Sequence, residues 1–85
     1  MLKVKIEERF LQQFGKRLSQ LRKSKKLSYR DLDKNCGLDF SYISKIEKGE
    51  VNVTLETLLE LLKGLNIQPK ELFDFEIEWS DEAFE

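Results

Sequence analysis

Nine residues between Asp39 and Gly49, FSYISKIEK, carry two aromatic rings, three hydroxyls and two ammonium groups. Ile43 and Ile46 are the apolar members of this run. Phe40, Ser41, Tyr42, Ser44 and Lys45 fall mostly away from their side. Read as a helix from Phe40 to Lys48, with Asp39 as N-cap and Gly49 closing it, the segment seats one face on a core and shows the other outward. A short helix that projects aromatic, hydroxyl and cationic groups suits the major groove of DNA, where base edges present acceptors, donors and the thymine methyl.

A second short helix must support the first. Ser28 to Asn35 opens with Ser28 as candidate N-cap and Asp31 three residues later as its capping-box partner. Gly37 is expected in a left-handed conformation that ends this helix. Leu32, Leu38, Ile43 and Ile46 give the pair an apolar underside. Before it, Ile6, Phe10, Phe14, Leu18 and Leu21 recur every three or four residues, the stripe of an amphipathic helix ending near Lys25 or Lys26. Gly15 within it is either a local weakness of about 1 kcal/mol or a close-packing point. After it, Thr54 caps a helix with Leu55, Leu58, Leu59 and Leu62 expected on its inner face, and Asn66 suits the left-handed position that follows. Pro69 opens a last helical turn, PKELF. Five helices on short connections predict one all-α bundle over residues 7–74, with 75–85 an acidic extension of the same single domain.

At both ends apolar and charged residues alternate, Leu2–Val4–Ile6 and Phe75–Ile77–Trp79. That period predicts a short two-stranded β-ribbon from the termini, within one chain or between two, against the alternative of frayed ends.

Charge is polarised. Residues 1–50 hold 13 Lys/Arg against 7 Asp/Glu, whereas residues 51–85 hold 2 against 9. Seven of the basic residues (Lys16, Arg17, Arg22, Lys23, Lys25, Lys26 and Arg30) stand within residues 16–30 with no acidic one between them. One end can face a polyanion while the other stays clear of it. With no histidine and one cysteine, Cys36, neither a zinc site nor an internal disulfide is expected. The glycines form no phosphate-cradling loop, and the serines lack histidine partners, so neither cofactor, small-molecule ligand nor enzymatic activity is expected. No apolar run reaches the ~20 residues of a membrane span and no signal-peptide pattern is present; a cytoplasmic location is expected.

Together, LSQLRKSKKLS, DLDKNCGL, SYISKIEKGE, TLETLLELL and PKELF make the chain resemble the phage repressor/Cro-type (Xre-like) helix-turn-helix regulators over residues 10 to 74. The resemblance implies a five-helix, lambda-repressor-like domain acting as a homodimer on double-stranded DNA, as a repressor or autoregulator. It places base reading on Phe40, Ser41, Ser44 and Lys45. Phosphate contacts fall on Arg22, Ser28, Tyr29, Arg30, Tyr42, Lys48 and Asn52. Phe40 stays open between packing and thymine contact. Arg22 and Glu47 match a family ion pair, and Glu47, beside Ile43 and Ile46, needs such a cation. Two positions depart from the pattern: Tyr29 replaces a glutamine, and Asp33 replaces an alanine and must either swing to the rim or find a partner, for which Ser41, Tyr42 and Lys45 are the candidates. Ile67, Leu72, Phe73, Phe75, Ile77 and Trp79 are the expected dimer contacts. The competing reading is a protein-interaction module or antitoxin-like protein of the same fold, binding a partner through its acidic, aromatic C-terminus.

Overall fold

The computed structural model describes residues 5–77 and 79, and they form five helices in the order α1 (Ile6–Ser24), α2 (Tyr29–Asn35), α3 (Phe40–Glu47), α4 (Leu55–Leu65) and α5 (Pro69–Leu72). Leu18, Leu32, Ile43, Leu61 and Leu72, one from each helix, are fully shielded from solvent. Burying each contributes about 1.5–3 kcal/mol. Phe14, Leu21, Ile46, Leu65 and Ile67 complete the core.

Three helices end through the same backbone device, a left-handed residue that turns two N–H groups back onto orphan carbonyls. After α1 it is Lys26 (φ 59°), with Leu27 N–H donating to the Arg22 carbonyl and Lys26 N–H to that of Lys23. After α3 it is Gly49 (φ 75°), and after α4 Asn66 (φ 57°). Gly49 and Asn66 match the expectation from sequence; Lys26 carried no such signal. Gly37 does not behave as expected. Among the described glycines only Gly49 has positive φ, and α2 ends instead through an extended Cys36. The Gly37 N–H is held by the Glu60 carboxylate of α4 at 2.8 Å.

Gly15 is a close-packing point. A Cβ there would stand 2.4 Å from the Glu47 carbonyl oxygen and 2.5 Å from that of Ile46. The crossing of α1 over the end of α3 therefore requires a residue without a side chain. Gly64 brings α2 and α4 close in a similar way, although a Cβ there would meet side chain rather than backbone, Leu32 Cδ1 at 2.7 Å.

Two expectations are corrected. Leu55 and Leu59 do not lie on the inner face of α4: they are 82% and 62% exposed, and Leu61 and Leu65 occupy the core. No strand forms among the described residues. Residues 2–4 and 78, needed for the expected ribbon, lie outside them, Ile6 begins α1, and Phe75 packs on Phe10 (5.8 Å between ring centroids) and Phe73 (6.3 Å). Phe10 of α1 and Phe73 at the end of α5 thus capture Phe75, the first apolar residue of that alternation.

Candidate nucleic-acid interface

α2 and α3 form the helix-turn-helix, each opened by a side-chain cap. Ser28 Oγ accepts the Asp31 N–H at 3.0 Å and the Asp31 carboxylate accepts the Ser28 N–H at 2.9 Å. The Ser28 N–H, with the neighbouring hydroxyl as a smaller influence, holds the Asp31 carboxyl below its usual range. At α3, Asp39 accepts both the Ser41 N–H and the Ser41 hydroxyl, which lower its pKa in turn, the hydroxyl most. The departure at Asp33 finds a backbone partner: its carboxylate accepts the Phe40 N–H at 3.0 Å. A negative charge at a helix N-terminus is favoured by the dipole, so Asp33 acts as a second cap on α3. None of Ser41, Tyr42 and Lys45, the partners expected for it, is needed, and Lys45 is left exposed.

Behind the helix pair lies a buried polar cluster. Arg22 Nε and Nη2 donate to the two Glu47 oxygens at 2.6 and 3.1 Å, and Nη1 donates to the Leu27 carbonyl at 2.8 Å. The two side chains are 9% and 5% exposed. Tyr29 donates its hydroxyl hydrogen to Glu47 Oε1 at 3.1 Å, and the Arg22 guanidinium lies 4.2 Å from the centre of the Tyr29 ring. The hydrogen bond to Glu47 raises the Arg22 pKa against the opposing effect of burial. The cluster ties α1, α2 and α3 together. Arg22 and Tyr29 were both expected at phosphates. Arg22 is buried with its donors turned inward, and the Tyr29 hydrogen is already given away, so neither is aimed at an acceptor-only phosphate. Ser28, also expected at a phosphate, already gives its N–H to the Asp31 carboxylate at the start of α2.

The outward surface is assembled as follows. Ser41, Lys45 and Lys48 are exposed on α3, with Phe40, Tyr42 and Ser44 half-buried beside them. The Ser41 hydroxyl donates to Asp39, which leaves its oxygen an acceptor. Tyr42 also packs against the core. Arg30 reaches across from α2, its guanidinium 4.6 Å from the centre of the Phe40 ring, a pairing invisible in sequence because it spans the turn. Ser28 and Asn52 are exposed, Asn52 accepting the Val53 N–H at 3.0 Å. Lys23, Lys25 and Lys26 stand exposed at the end of α1. Arg17 belongs elsewhere: it donates to the Glu71 carbonyl at 2.8 Å and pairs with Asp74 at 3.8 Å. Of the basic run, Arg17 thus serves the acidic end of the molecule and Arg22 the interior.

The expected dimer contacts are largely consumed within the chain. Leu72 is fully buried and Ile67 is 7% exposed. Phe73 stacks on Phe14 at 5.5 Å, Phe75 covers Phe10, and Ile77 lines the same side of α1 with Ile6. Only Trp79 (74%) and part of Phe73 (39%) remain outward, whereas Leu55 and Leu59 are more open than expected. The leucine-rich α4 hid this in sequence, since its six leucines form one broad apolar arc opposite Glu56, Glu60 and Lys63, and the pattern does not say which edge of that arc is covered. Among the described residues the segment after α5 lies on α1 and leaves α3 uncovered. No helix there is long and apolar enough to cross a membrane.

A family model described as Helix-turn-helix matches residues 18–72. The chain belongs to that family. It is 43% identical over 63 residues to the control protein C.BamHI of Bacillus amyloliquefaciens, a match covering 73% of this chain and 78% of the relative. Among solved structures it is similar to the restriction-modification controller protein C.AhdI of Aeromonas hydrophila, with a TM-score of 0.74 and 44% identity over 78% of this chain and 96% of that one. The controller protein C.Esp1396I, solved as a tetramer with its natural 35-base-pair operator, aligns with a TM-score of 0.70 and 30% identity over 75% and 84% of the two chains. The phage repressor/Cro-type resemblance read from the motifs is the family found.

Proposed function

We propose that the protein is a sequence-specific DNA-binding transcriptional regulator that controls a restriction-modification system as an autoregulating homodimer. The observation that carries the reading is the uncovered face of α3, backed by core residues on one side and flanked by exposed lysines on the other. The naming of C.BamHI and C.AhdI as control or controller proteins supports the regulatory role, and the C.Esp1396I–operator complex supports duplex DNA as the partner. A cytoplasmic location follows from that role.

In this mechanism Lys23, Lys25, Lys26 and Lys48 supply attraction to phosphates, releasing counterions and making affinity fall steeply with salt. Ser28, Tyr42 and Asn52 fix register at the margins of the site. Lys45 donates to guanine O6 and N7, while Ser41 and Ser44 meet neighbouring base edges. Arg22, Tyr29 and Glu47 hold the angle between the helices rather than touching the duplex. The dimer face is reassigned to α4, where Leu55 and Leu59 stand one helical turn apart and a second copy would bury both against their counterparts.

Selection of bound duplexes from a random pool, followed by salt titration of the consensus, tests the reading. A two-fold symmetric consensus whose affinity drops with log salt by about 0.9 per phosphate contacted is expected. Lys45→Ala should relax preference at one base position by about 1–3 kcal/mol. Absence of any duplex binding at low salt refutes it.

A further inference from the structure

We propose that Arg30, laid over the Phe40 ring, is a guanine reader at the tip of α3, a specificity determinant contributed by the supporting helix. This rests on the DNA-binding reading above and adds a reader to it. Arg30 is exposed at the second position of α2, and among the described residues its guanidinium is placed only by the ring of Phe40, 4.6 Å away. Phe40 is the first residue of α3, half-buried, and its N–H is pinned by Asp33. The half-buried ring thus stands on an anchored backbone and offers a shelf. A guanidinium lying over such a shelf spends its face on the ring and keeps its N–H edge free as a planar fork.

A fork of this kind fits either a phosphate or the O6/N7 edge of guanine. The charges around it decide for guanine. Asp33 and Asp39 have already taken the Phe40 and Ser41 N–H groups, so the N-terminus of α3 carries two carboxylates instead of bare donors. Both attract a guanidinium and repel a phosphate, whereas an uncharged base edge approaches without that penalty. The exposed Asp39 carboxylate, at the N-cap of the same helix, adds an acceptor to the tip of α3. Cytosine presents an N4 amino donor next to the guanine acceptors in the same groove, so the tip of α3 complements a G·C pair. Phe40 thus gains a defined task, that of aiming Arg30.

The test takes the selected consensus duplex and replaces its guanines one at a time with 7-deazaguanine, which lacks the N7 acceptor. The wild-type protein should lose about 10-fold in affinity or more at one guanine per half-site that Lys45→Ala does not affect. Arg30→Ala should be indifferent to that replacement. Arg30→Lys should regain overall affinity but only part of the 7-deazaguanine response, and Phe40→Leu should lose part of it with the charge still present. Thermal melting of each variant confirms that the bundle is intact. If Arg30→Ala instead weakens all duplexes alike and lowers the salt slope by about one, Arg30 is a phosphate contact and the proposal falls. An unchanged response in Phe40→Leu removes the aiming role. A wild-type protein that binds no duplex sinks the regulator reading itself, a result distinct from either.

Discussion

Glu47→Ala removes the carboxylate on which Arg22 Nε, Arg22 Nη2 and the Tyr29 hydroxyl converge. The remaining guanidinium stays in a site where its side chain is only 9% exposed, with just the Leu27 carbonyl as hydrogen-bond partner. Breaking a buried pair by deleting one partner costs about 3–5 kcal/mol, because the survivor is left charged and undercompensated. A domain of this length has a total stability of about 4–13 kcal/mol at 0.05–0.15 kcal/mol per residue, so the variant should be near the edge of folding at room temperature. Urea unfolding followed by far-ultraviolet circular dichroism measures the loss. The double variant Arg22→Met/Glu47→Leu separates pair from packing: with both charges gone, most of the lost stability should return. Tyr29→Phe isolates one hydroxyl and should cost about 1 kcal/mol. A Glu47→Ala loss below about 1 kcal/mol, the level of an exposed pair, would refute the argument that burial makes this cluster the hinge between α1, α2 and α3.

Gly15→Ala should destabilise by about 1–3 kcal/mol through overpacking, despite alanine's better helix propensity, because the new methyl meets the Ile46 and Glu47 carbonyls; a raised melting temperature would contradict the close crossing. Leu55→Glu with Leu59→Glu should leave the monomer fold unchanged and shift sedimentation from dimer to monomer, and operator binding should weaken with it; an unaltered dimer would move the interface elsewhere. Asp31 and Asp39 have folded pKa values below their usual 3.8, and Glu60, paired with Lys63 and bonded to the Gly37 N–H, lies below its usual 4.5. The unfolded chain therefore binds more protons in this range, so these caps stabilise fully above those ordinary values and lose their contribution as pH falls through the lowered ones. Asp39→Asn, which can still cap, should give a shallower acid limb in pH-dependent melting, and a limb identical to wild type would remove Asp39 as a contributor.

Local physics was legible without coordinates. The capping box at Ser28 and Asp31, the Asp39 and Thr54 caps, the left-handed Gly49 and Asn66, and the stripe of Phe14, Leu18 and Leu21 all act within a turn or two, where residue type and spacing are sufficient information. So was the Arg22–Glu47 pair, although its separation of 25 residues was bridged by family resemblance rather than by spacing. What tertiary structure alone decided are the competitions between partners that lie far apart in sequence. Asp33 had several candidate partners and took the Phe40 N–H. The aromatic segment after α5 alternated like a strand but met Phe10 and Phe14 first. The six leucines of α4 form an apolar arc broader than the core covers, and only the positions of α2 and its neighbours determined that the Leu61 and Leu65 edge would be inside and Leu55 and Leu59 outside. Propensity, capping and periodicity are properties of neighbours along the chain, whereas the choice among equally suitable distant partners depends on where packing puts each helix, which no local pattern encodes.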